Sequence, residues 1–174
     1  MDSLLDESGF RLQVDGKLSP FRLCQCPTYQ RLSGKHLKEM DVGWLEPARV
    51  CFLELKGKEV WSSQKPPSPS EALLENLENK ARDVLLTLAA VWSGSAVGAA
   101  LAAELPRDFP TNVCPLKLLF VVDTPAGAEA ELLNLNDRLN QRMGGRLELL
   151  GAKRISVVNF EGAQKIGLRI QRAS

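Results

Sequence analysis

The run Arg49 to Lys56, R-V-C-F-L-E-L-K, constrains this chain more than any other stretch. It is rich in β-branched, aromatic and aliphatic residues and stops at Gly57, too short for a stable helix. Side chains alternate across a strand. Val50, Phe52, Glu54 and Lys56 then share one face, and Cys51, Leu53 and Leu55 share the other. Glu39 to Leu45 reads as a preceding strand, with Glu46-Pro47-Ala48 as the tight turn between them and Pro47 fixing its own φ. A turn centred near Pro47 or Ala48 gives cross-strand partners whose numbers sum to about 94 or 95. Asp41 is therefore expected opposite Leu53 or Glu54, which makes two carboxylates close neighbours.

Adjacent carboxylates repel, and a sheet does not favour them without a reason. A divalent cation is one such reason. Magnesium is held by one or two carboxylates, with water and substrate phosphate filling its other positions. Lys56, on the same face, is placed to hold a phosphate or steer an attacking water. An acid on one strand, (Asp/Glu)-x-Lys on the next and a helix after it resembles the PD-(D/E)XK superfamily of restriction-endonuclease-like nucleases. The match is Asp41, then Glu54-Leu55-Lys56, with Met40 where the motif has proline. The tripeptide alone is unspecific, because Asp15-Gly16-Lys17 and Glu78-Asn79-Lys80 also match it. Those read as a turn and a helix face. Only Glu54-Leu55-Lys56 ends an apolar strand with another acid on the strand before. The competing reading is a solvated Glu and Lys at a strand end, with Asp41 as surface.

The resemblance implies an α/β fold with a restriction-endonuclease-like core, a mixed β-sheet flanked by helices, as one domain over residues 1–174. It implies a metal-dependent endonuclease that uses magnesium or manganese and acts on nucleic acid, DNA ahead of RNA. Asp41, Glu54 and Lys56 would be catalytic. Asp41, Glu54 and the Leu55 backbone carbonyl would ligate the metal. Glu7 is the candidate for a further acid, which the superfamily often supplies from its first helix, so Met1 to Ser8 is expected to form a helical turn. The helix after the hairpin often lends a polar residue to the site, here Asn79 or Lys80. Nucleic-acid contacts are expected from Tyr29, Arg31, Lys35 and Lys38, with Lys58, Lys80, Trp61 and Lys65 as further candidates. The alternative is an inactive domain of this fold serving as a nucleic-acid or protein interaction module in a larger complex. Cleavage of both strands of a duplex would make a homodimer attractive.

Charge and cysteines set bounds. Net charge is +1, so the chain has no global basic signature of the kind that phosphate binding favours. Between Arg11 and Lys65, ten Lys or Arg face six Asp or Glu, a local +4 around the hairpin. Cys24, Cys26, Cys51 and Cys114 do not form a disulfide framework in a chain of this length, and no apolar run is long enough to span a membrane. The expectation is a reduced, cytoplasmic protein without membrane partners. Cys24-Gln25-Cys26 with Cys51 and His36 is a weaker metal-site reading, against core cysteines. His36 is the only histidine, which excludes HExxH centres and paired catalytic histidines.

The remaining elements follow from pattern. Phe10 to Val14 and Pro20 to Cys26 read as short strands, and Pro27 to Lys38 as a polar loop. Ser68-Pro69-Ser70-Glu71 is a capping box for a helix reaching Trp92, with an apolar stripe from Leu73 to Leu88 and with Lys80 and Asp83 on or near its other side. Ala96 to Leu105 is a further helical piece. Lys117 to Val122 is a strand buried on both faces. Thr124-Pro125 opens a helix with the stripe Leu132, Leu135, Leu139 and Met143, ended by Gly144-Gly145. Ile155 to Phe160 and Ile166 to Ile170 are the last strands. Strands, long helix, strand, helix, strand make an α/β layer architecture with a mixed sheet.

Overall fold

The structure is a computed structural model that describes residues 3–15, 18–62 and 71–173. Its centre is a four-stranded mixed sheet in the order β3-β4-β5-β6. The strands are β3 (Val42–Glu46), β4 (Arg49–Lys56), β5 (Leu116–Val122) and β6 (Ile155–Val158). β3 runs antiparallel to β4, while β4, β5 and β6 are mutually parallel. Parallel neighbours need a crossover, and helices supply both. α2 (Lys58–Ser62), α3 (Glu71–Trp92) and α4 (Ala96–Ala102) lie between β4 and β5, and α5 (Glu129–Leu149) lies between β5 and β6. The sheet with its flanking helices is the α/β architecture that the pattern predicts.

The two faces of this sheet are covered differently. Val50, Phe52, Leu118, Phe120, Ile155 and Val157 pack under α3 and α5, against Leu74, Leu77, Val84, Leu88, Leu135 and Leu139. Cys51, Leu53, Leu55, Leu119 and Val121 pack instead on a second, antiparallel sheet. That sheet has the order β1 (Ser3–Glu7), β2 (Phe10–Val14), β7 (Arg169–Arg172), with α6 (Phe160–Lys165) beside it. β5 is buried on both faces as its unbroken apolar run requires.

Several expectations are corrected. Residues 3–7 form β1, paired with β2 in register Leu5 to Leu12, rather than a helical turn. Leu5 fills the core while Leu4 is exposed, a period of two. Residues 20–26 do not form a strand: Phe21 makes one bridge to Gly43, and Leu23 to Gln25 form a 3₁₀ turn. The polar stretch after it is helical, α1 (Pro27–Ser33), with Pro27 in the first turn where its missing N–H costs nothing. α5 begins at Glu129 and runs through Gly144 and Gly145 to Leu149. Its stripe continues from Met143 to a buried Leu147, and that packing outweighs the glycine penalty. Ile155 to Phe160 divides into β6 and the start of α6, where the Asn159 side chain accepts from Gly162 N. The last strand is shifted to Arg169–Arg172. The serines of the capping box and Lys65 lie outside the described residues.

Both margins of the central sheet are occupied. Along β6, Asn140 bonds the N–H and C=O of Ile155, and Asn136 accepts from Val157 N. Along β3, Phe21 and Gly43 exchange two backbone hydrogen bonds of 2.8 Å. Gly43 is required there, since a Cβ would sit 2.4 Å from the Phe21 ring.

Candidate active site

The hairpin β3–β4 has the register in which partner numbers sum to 95: Val42 faces Leu53 and Glu46 faces Arg49. Asp41 is the residue before β3, and its Oδ2 accepts from Leu55 N at 2.7 Å. It therefore continues the strand's path opposite Glu54. In an antiparallel pair the N–H and C=O of one residue project to the same side. The Leu55 carbonyl accordingly faces the Asp41 side, beyond the end of β3. Glu54 is 1% exposed and Asp41 11%.

Two lysines meet these acids. Lys56 Nζ lies 2.8 Å from Glu54 Oε1. Lys80 Nζ, from the middle of α3, lies 2.5 Å from the same oxygen and 4.0 Å from Asp41 Oδ1. Glu54 Oε2 is buried without a hydrogen-bond partner among the described residues. Burial, and then the Glu54 charge, push the Asp41 carboxyl up to about 7, against the opposing Leu55 N–H and Lys80. Glu7 adds to that rise, so β1 brings a third carboxylate within electrostatic reach. Glu7 also pairs with Arg22 at 3.4 Å.

Helix α3 organises this corner twice. Lys80 sits beside buried Leu77, Ala81 and Val84, on the flank of the stripe rather than opposite it. Asp83, three residues on, is buried, and its Oδ2 accepts from Lys38 N at 2.9 Å. This bond ties the segment leading to Asp41 onto the helix. Asp83 is not legible in the sequence as a site residue, and its only signal there is the i, i+3 spacing from Lys80. Behind Asp41 lies Glu39, whose carboxyl is raised by burial, with Oε2 buried and unpartnered. At the other margin Asp123 N donates to Lys56 O at 2.8 Å, while its carboxylate accepts from Arg172. The acids thus lie at the carboxyl end of β4, beside that of β5, where open α/β sheets commonly bind ligands.

The expected nucleic-acid contacts differ in exposure. Tyr29 is enclosed in the core at 1% exposure and presents no ring to a ligand; burial raises its phenol. Arg31 is exposed and donates to Thr28 Oγ1. Lys35, Lys38 and Lys58 are exposed, and Trp61 packs partly against the core. Of that set, Lys80 joins the two acids. The cysteine reading fails on geometry. Cys51 packs into the cluster on the far face of the sheet, while Cys26 packs into the cluster under α3. The four cysteines are free thiols. Among the described residues, no group of three or more His, Cys, Asp or Glu is arranged to hold a metal, and no single helix is long and apolar enough to cross a membrane.

No family model, curated protein or solved structure matches the chain.

Proposed function

We propose that this chain is a metal-dependent phosphodiesterase of the restriction-endonuclease-like kind, cutting nucleic acid, DNA ahead of RNA. One observation carries this reading: Asp41 and Glu54 are held side by side, Glu54 buried and Asp41 11% exposed, with Glu54 Oε2 unpartnered among the described residues. A buried carboxylate oxygen without a partner costs stability, and a hard cation is the partner it suits. Asp41, Glu54 and the Leu55 carbonyl would hold magnesium or manganese. Bound there, the metal supplies an acidified water and neutralises charge growing on the phosphate. Lys56 would orient that water or a phosphate oxygen, from an ammonium held at the strand end. Asp83 and Leu55 N would keep Asp41 in place.

Circular plasmid, single-stranded DNA and RNA should be offered with magnesium, manganese or EDTA. Cutting is expected with either metal and not with EDTA. Glu54→Gln should lower it by about a thousandfold, the several kcal/mol a catalytic metal contributes. Lys56→Ala should lower it too. Full activity in Glu54→Gln sinks the assignment. A specific observation favours the second reading, an inactive interaction module: Lys56 and Lys80 already neutralise Glu54 without any metal. Binding of nucleic acid with no cutting under any metal would select that reading.

A further inference from the structure

Lys80 holds a different position at the site from Lys56. Its ammonium lies between the two carboxylates, 2.5 Å from Glu54 Oε1 and 4.0 Å from Asp41 Oδ1. Lys56 touches only Glu54, at 2.8 Å on that same oxygen. The other oxygen, Oε2, has no partner. Magnesium approaches its oxygen ligands to about 2.0–2.1 Å. An ammonium already seated between both acids stands where a metal bridging Asp41 and Glu54 would sit, and it repels a second cation. Resting on the nuclease reading above, we propose that Lys80 is a resident cation of this site, which a divalent metal must displace from Glu54 before it binds.

The surroundings fit that role. The backbone of α3 at this point is fixed by Leu77, Ala81 and Val84, each fully buried. Lys80 itself keeps 17% of its side chain exposed. The ammonium can swing out on its four-carbon stem while the helix stays in place. The free protein therefore holds its acids neutralised and binds metal weakly. An anionic substrate that offers Lys80 another partner frees Glu54 and Asp41 for the metal. Metal loading is thereby linked to arrival of the phosphodiester.

The test needs no nucleic acid and no turnover. Manganese binding to the whole chain is read by the loss of the free-ion electron paramagnetic resonance signal. An opposite charge at this range changes a carboxylate's affinity for a proton by about ten- to a thousandfold, so Lys80→Met should bind manganese about tenfold tighter or more. Lys80→Gln, one atom shorter but still a hydrogen-bond donor, should move the same way and stands in if the methionine variant does not fold. Lys153→Met, an exposed lysine outside the site, should leave affinity unchanged. Adding Glu54→Gln to Lys80→Met should abolish the tight binding. Equal manganese affinity in wild type and both Lys80 variants, still lost in Glu54→Gln, overturns the resident-cation proposal and spares the nuclease reading. Absence of any binding that depends on Glu54 overturns both.

Discussion

At its turn end the β3–β4 hairpin sets Glu46 opposite Arg49; at its open end it carries Asp41 opposite Glu54. The first pair joins opposite charges, with Arg49 Nε donating to Glu46 Oε2 at the protein surface. The second pair joins like charges, buried, with one oxygen unpartnered. Both ends are built from the same two strands, in one register. Pairing that serves the hairpin is satisfied where water could have satisfied it anyway. Pairing that opposes folding is kept where water is excluded. Such a conflict between local cost and global fold marks functional sites.

The largest way to break this contrast is Asp41→Asn. The folded carboxyl stands at about 7 against 3.8 for an ordinary aspartate. Between those values the folded protein binds more protons than the unfolded chain, so stability falls as pH rises from about 4 to about 7 and is level above. The amide of this variant keeps an acceptor for Leu55 N and has no charge to bury. At pH 8 the variant should exceed wild type by up to about 4 kcal/mol, the free-energy equivalent of that displacement. At pH 4 the two should converge. Denaturant melts across this range decide it, and a flat wild-type profile would remove the electrostatic conflict from the open end. A smaller effect is expected at the turn. Ala48 holds φ at +64°, beside Pro47, a conformation that suits glycine. Ala48→Gly should stabilise by about 0.5–1 kcal/mol, the relief of left-handed strain less glycine's added chain entropy, without affecting cleavage. Smallest is Arg49→Ala, whose partner is a surface carboxylate. A loss of about 0.5 kcal/mol or less is expected, again with activity intact. A cost of several kcal/mol there would erase the distinction between the two ends.

How much of this is legible in the sequence depends on the range of the forces involved. Alternation and the turn at Pro47 narrow the hairpin register to partner sums of 94 or 95, and the folded pairing selects 95 and with it Asp41 against Glu54. The long stripes of α3 and α5 are equally plain. The second sheet is legible only in part: β2 reads as a strand, but β1 is short and mixed, and β7 joins β2 from the far end of the chain. Ser-Leu-Leu-Asp-Glu fits a helical turn as well as a strand until Leu5 finds Leu12. Tyr29 resembles a ligand contact because its neighbours are polar. Only the packing of α1 against α4 and the helix-side core buries it. Lys80 lies within a tripeptide that reads as an ordinary helix face, and Asp83 gives no local sign of reaching Lys38. Both roles depend on how α3 is set against β4.

The asparagines along β6 carry a consequence for how this molecule can associate. The backbone groups that Asn136 and Asn140 engage are those an incoming strand would use, and Phe21 engages Gly43 on the opposite margin. The central sheet is thus closed to lengthening at those positions, strand upon strand, across molecules. Growth is stopped on β6 by two asparagine side chains and on β3 by the backbone of Phe21, all from within the same chain. A copy that meets this one at those positions has to do so through side chains and not by extending the sheet.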